Sequence, residues 1–216
     1  MTTMNAAGAT GVLLEALPVL HAICAWSLAL LLAAAARHKA RDLHVFAAIL
    51  WNYGLLPTVL VKPVAAVIVF AETVTAALLC AAPFSPSASF LGGAAAAALM
   101  LVYGFAIAVN LLRGRTDMNC GCDGAEREQP LHPRLVLRNL LLAVVGVFVV
   151  AGFEFGAEWT GTIDSGGPRA AISSIRPLVW IDWLAAFSAT VALSSLWAVF
   201  ARLRMLRSGL AAESRG

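Results

Sequence analysis

Residues 88–112 read ASFLGGAAAAALMLVYGFAIAVNLL, twenty-five positions without one Asp, Glu, Lys or Arg. An α-helix rises about 1.5 Å per residue, so about 20 apolar residues cross the roughly 30 Å hydrocarbon core of a bilayer. This stretch is long enough, and its apolar character on every side suits lipid rather than water. The same reading extends outward along the chain. Residues 17–36 carry no formal charge, 63–82 carry only Glu72, and 178–201 carry only Asp182. A shorter run, 139–153, reaches spanning length when extended back to 135, which takes in Arg138, a residue whose long stem can reach the headgroups. Composition agrees, with 61% of the 216 residues hydrophobic, 12% charged and a mean hydropathy of +0.84. The expected fold is all-α: one polytopic membrane domain over 1–216, with five transmembrane helices at about 17–36, 63–82, 88–112, 135–153 and 178–201. A soluble enzyme with one mixed surface and a disordered chain are both excluded. Nucleic acid is not an expected partner, because the 15 Lys and Arg lie between apolar runs rather than along one basic stripe.

Those basic residues set the expected orientation, since cytoplasmic loops carry the excess of Lys and Arg. With the N-terminus outside, thirteen fall on the inner side and only Arg169 and Arg176 outside. The expectation is an N-terminus outside and a C-terminus in the cytoplasm. Residues 1–16 hold no Lys or Arg, so the first apolar run is expected to remain as a helix rather than serve as a cleaved signal peptide. Segment 43–61 also lacks formal charge, but Asn52, Gly54 and Pro57 interrupt it, and it is read as an interfacial helix with Trp51 and Tyr53 at headgroup level. A sixth crossing there would reverse the bias to ten basic residues outside and five inside. Residues 113–134 then form an inner loop and 154–177 the one sizeable outer loop.

The inner loop holds the least ordinary local sequence, Asn119-Cys120-Gly121-Cys122-Asp123-Gly124. Two thiols sharing one glycine can bridge only through a tight, strained ring, which Gly121 and Gly124 permit, and strain makes a disulfide easier to reduce. Cys120 and Cys122 therefore suit transient thiol exchange. Two other readings stand beside it: soft-metal binding with His132, whose spacing fits no common zinc knuckle, and simple packing. Cys24 and Cys80 lie in the outer halves of the first two helices, where a thiol is commonly a small apolar side chain, although a second redox pair would let electrons cross the membrane. Glu72, near mid-membrane, calls for a partner facing the bundle interior, with Tyr103 and Asn110 as candidates, or else for a proton-relay role. Asp182 and His21 fall at similar shallow outer depths, as a polar pair or as wet interfacial residues.

Taken together these residues resemble the methylamine utilisation protein MauE family, grouped with the DoxX-like membrane proteins. The resemblance rests on WNYGLLP at 51–57, Glu72, the stretch 110–115 followed by Cys120-Gly121-Cys122, then QPL at 129–131 and LRNL at 137–140, and it covers about residues 15–201. It implies an inner-membrane factor for maturing the disulfide-rich, quinone-bearing small subunit of methylamine dehydrogenase. Its partners would be that subunit and a thioredoxin-like MauD-type protein, with Cys120 and Cys122 as the redox pair. The family usually has an aromatic residue after the second cysteine, where this chain has Asp123. A non-catalytic scaffold or export helper for the same subunit is one alternative. The other is a quinone-linked oxidoreductase, which the DoxX-like grouping and Glu72 suggest; otherwise no cofactor or metal is expected. The charge bias places Cys120 and Cys122 in the cytoplasm, whereas the implied substrate folds outside. A loop dipping into the bundle, a spanning 43–61 segment, or electron transfer through Cys24 and Cys80 would each reconcile the two.

Overall fold

The computed structural model describes residues 6–115, 131–157 and 184–196, with side chains at 17–115, 131–152 and 184–196. Six α-helices account for nearly all of them: α1 Ala6–Arg41, α2 Leu43–Asn52, α3 Thr58–Ala81, α4 Pro86–Leu112, α5 Pro133–Ala157 and α6 Leu184–Leu196. Four are long and apolar enough to cross a bilayer, over Leu17–Arg41, Thr58–Phe84, Pro86–Leu112 and Pro133–Gly152. Of the expected fifth crossing at 178–201, the described part is the apolar helix α6, and the flanks lie outside the described residues. The exterior carries large apolar side chains, with Val67, Phe70, Phe105, Val144 and Val147 each more than half exposed. In water that surface would be a liability, whereas in lipid it matches the solvent. The protein is a multi-pass membrane protein.

Helix ends follow local chemistry. Ser85 caps α4, its hydroxyl accepting the Ala88 N–H at 3.4 Å, and Pro86 takes the first helical position, where a missing N–H costs nothing. The expected interfacial helix 43–61 is shorter in the structure and is followed by a turn. The ten residues of α2 rise only about 15 Å, half of what a crossing needs. Gly54 ends it at φ +61°, donating its N–H to Trp51 O at 2.9 Å, and Pro57 holds an extended conformation before α3 begins at Thr58. Pro63, expected to open the second span, lies inside α3 instead. Six residues into the helix it removes one backbone hydrogen bond, a loss that membrane helices tolerate by local adjustment and by bonds from neighbouring groups. The first helix also continues past residue 36 to Arg41. The two aromatic residues of this segment differ in burial. Trp51 is 57% exposed, but Tyr53 is 8% exposed and packs with Ile107 and Leu131.

The core joins Ala25, Leu28, Ala29 and Leu32 of α1 to Ala76 and Leu79 of α3, Ala96 and Met100 of α4, and Ala143 and Val149 of α5. Small residues let the backbones approach, as is usual where lipid gives apolar side chains no reason to leave it. The α4–α5 seam is the closest. A Cβ on Gly93 would lie 2.8 Å from Gly146 O and 2.9 Å from Val150 N, and one on Gly146 would lie 2.9 Å from Ala97 N. Backbone atoms cannot yield as a flexible side chain can. Gly93→Ala should therefore lower the thermal unfolding midpoint in detergent by an amount equivalent to about 1–3 kcal/mol. Gly104→Ala, whose new methyl meets only Asn139 Cβ at 3.5 Å, should leave the midpoint unchanged or higher.

Candidate functional site

On α1 the buried positions Ala22, Ala25, Leu28, Ala29, Leu32 and Ala36 recur at helical spacing, and the next residue on that stripe is Lys39. Continuing the helix through residues 37–41 carries Lys39 into the bundle, where it is 5% exposed. Glu72 continues the buried face of α3 and is fully buried. The two form an ion pair, Lys39 Nζ donating to Glu72 Oε1. Tyr103 of α4 donates its hydroxyl to the same oxygen at 2.6 Å and lies 3.4 Å from Lys39 Nζ. The ammonium also stands 4.7 Å from the centroid of the Tyr103 ring and 5.0 Å from that of Phe46 on α2, within range of cation–π attraction. Four helices thus converge on one ammonium–carboxylate pair. Sequence reading finds Glu72 and Tyr103 but counts Lys39 among the inner-loop charges. The buried stripe of α1 was the signal that assigns it to the bundle.

Further buried polar atoms lie on α3, α4 and α5. Asn110, the other candidate partner for Glu72, donates instead to Ala106 O at 3.0 Å. Glu72 Oε2, Asn110 Oδ1, Asn139 Nδ2 and Arg138 Nε are buried with no hydrogen-bond partner among the described residues. Nearby, Arg115 Nη1 donates to Asn52 O at 3.4 Å, and Leu131 packs against Tyr53. Residues 115 and 131 flank the stretch that carries Cys120 and Cys122, so both its ends rest on the turn after α2. Cys120, Cys122 and Asp182 themselves lie outside the described residues.

His21 belongs to a separate polar contact joining α1, α4 and α5. The Ser89 hydroxyl donates to Val149 O at 2.7 Å, and His21 Nε2 lies 2.9 Å from Ser89 Oγ and 3.2 Å from Val149 O. With the serine proton committed to the carbonyl, this network assigns the imidazole proton to Nε2. Gly152 makes room for the ring, since a Cβ there would fall 2.1 Å from His21 Cδ2. Cys24 is half-buried against the core, and Cys80 is exposed; both are free thiols. The Cys80 carbonyl accepts a hydrogen bond from Trp26 Nε1 at 3.3 Å. The structure brings Glu72 together with Tyr103 and Lys39, and leaves His21 apart from them.

The model of the methylamine utilisation protein MauE family matches residues 17–152. The chain belongs to the MauE family. It is 39% identical over 125 residues to the methylamine utilization protein MauE of Paracoccus denitrificans, covering 58% of this chain and 65% of that protein. Identity to the protein of the same name from Methylophilus methylotrophus is 41% over 127 residues, 57% of this chain and 63% of that protein. With the MauE of Methylorubrum extorquens it is 36% over 142 residues, covering 66% and 70%. The chain spans somewhat under two thirds of the length of the first two relatives. No solved structure matches it. The MauE match takes in all four described spans, the Lys39–Glu72–Tyr103 cluster and the Cys120-Gly121-Cys122 sequence.

Removing one member of a buried ion pair strands the other charge. Lys39→Met or Glu72→Gln alone should cost the MauE-family bundle about 3–5 kcal/mol in detergent unfolding, and the double variant should recover most of that loss. Tyr103→Phe, which deletes one hydrogen bond to a charged acceptor, should cost about 1.5–3 kcal/mol.

Proposed function

We propose that this MauE-family protein acts in methylamine utilisation as an inner-membrane factor for maturing the disulfide-rich small subunit of methylamine dehydrogenase. Cys120 and Cys122 exchange disulfides with a thioredoxin-like partner of the MauD type. The observation that carries the reading is the family match over residues 17–152, because that span contains the paired thiols. The anchoring of residues 115 and 131 on the turn after α2 supports it, since a thiol pair that must meet a partner benefits from a fixed base. Exchange needs no outside oxidant. One S–S bond breaks in one protein as one forms in the other, and two electrons pass with the two thiol protons through a mixed disulfide.

Orientation belongs to the same proposal. Lys39 no longer counts as a loop charge, yet twelve basic residues against two still favour a periplasmic N-terminus and a fifth crossing through residues 184–196. The ten-residue length of α2 supports the reading in which 43–61 does not cross the membrane. A loop dipping into the bundle and relay through Cys24 and Cys80 remain as the routes to an outer substrate.

Changing both Cys120 and Cys122 to Ser should abolish growth on methylamine and leave the dehydrogenase small subunit incompletely disulfide-bonded, as read by thiol-trapping gels. A fully bonded subunit in that strain would sink the exchange role in favour of a scaffold. A membrane-impermeant thiol reagent should label the pair in inverted vesicles and not on intact cells.

A further inference from the structure

We propose that Glu72, Phe46 and Tyr103 form a binding site for a small primary alkylammonium ion, which Lys39 fills as a tethered guest and for which free methylammonium competes. This goes beyond the thiol-exchange reading and does not rest on it. The host is complete without α1: α3 supplies the carboxylate, α2 the Phe46 ring, and α4 both a phenol oxygen and a ring face. What α1 contributes is the guest. The group held is the end of the lysine stem, a CH₂–NH₃⁺ unit that methylammonium reproduces atom for atom apart from the tether.

The chemistry of the walls selects this class of ion. A carboxylate by itself binds metal ions as well as ammonium groups, and it is the two aromatic faces beside it that favour an organic ammonium. A second observation points to an untethered ligand. Glu72 is fully buried, yet its Oε2 has no partner among the described residues. One acceptor of the host is thus left over after Lys39 and Tyr103 have both bonded Oε1. A free ammonium, with three N–H donors and no stem fixing its approach, can engage both oxygens. Lys39 can also leave, because it lies two residues from the end of α1 between exposed neighbours, and a lysine stem that withdraws reaches the interface.

The test uses the full chain purified in detergent and follows thermal unfolding in methylammonium chloride, potassium chloride and tetramethylammonium chloride at matched ionic strength. Lys39→Ala should unfold at a lower temperature than the parent, and methylammonium alone should raise its midpoint saturably. Lys39→Ala with Glu72→Gln should show no such rise. The parent protein should respond at least about tenfold more weakly, because the tethered guest competes at high effective concentration. If Lys39→Ala cannot be isolated in potassium chloride, recovery when methylammonium is present throughout extraction is the same positive result. The proposal is overturned if methylammonium neither shifts nor recovers Lys39→Ala, if potassium or tetramethylammonium does so equally, or if the parent responds as strongly as the variant. None of these outcomes bears on the cysteine variants, so the two readings fail separately.

Discussion

An ammonium and a carboxylate paired inside an apolar bundle constrain the packing around them. In hydrocarbon neither charge can be left to solvent, so the helices that carry them are held in one relative position. Lys39 on α1 and Glu72 on α3 therefore fix the register of those two helices, and the Tyr103 hydroxyl on Oε1 ties α4 to the same point. Apolar packing alone would do this weakly. Leu and Ala neighbours along a lipid-facing helix are nearly interchangeable when a helix slides by one turn, whereas an ion pair tolerates no such slip. His21, Ser89 and the Val149 carbonyl perform the corresponding task for α1, α4 and α5. Between these two polar contacts lie the small residues of the core, free to be small because register is fixed elsewhere.

How much of this was legible in the sequence depends on the signal each residue sends. Length and absence of charge define the spans in 17–36, 63–82, 88–112 and 135–153 well, because the bilayer imposes that length directly. Glu72 stands out for the same reason, as a lone acid in a long apolar run, and Tyr103 follows as a donor within reach of it. Lys39 does not stand out. It sits beside Arg37 and Arg41 at the end of an apolar run, where charge reads as the start of a loop. Only the helical stripe from Ala22 to Ala36, extended one turn, separates the buried lysine from its exposed neighbours. The segment 43–61 was harder for a different reason. Gly54, Pro57 and Pro63 each signal a break, and nothing local decides which one ends a helix. Gly54 does so through its positive φ, and Pro63 is absorbed into α3. Tyr53 went inward because the turn directs it onto Ile107 and Leu131. Cys120, Cys122 and Asp182 were as legible as any residue here, but they lie outside the described residues.

The short helix α2 is where these observations meet. Near one end, Phe46 gives a ring face to the Lys39 ammonium; at the other, Asn52 and Tyr53 hold the two ends of the stretch that carries the paired thiols. Phe46 and Tyr53 are seven residues apart, so about 10 Å of backbone rise separates the ring contact to Lys39 from the contacts of Arg115 and Leu131. A ten-residue helix too short to cross lipid derives its stability from what it packs against, here α3 above all and then α1. Any shift of Lys39 out of its cage removes one of those contacts. Phe46 lies within α2 and Tyr53 caps its C-terminal end, so the two contacts stand on one continuous stretch of backbone.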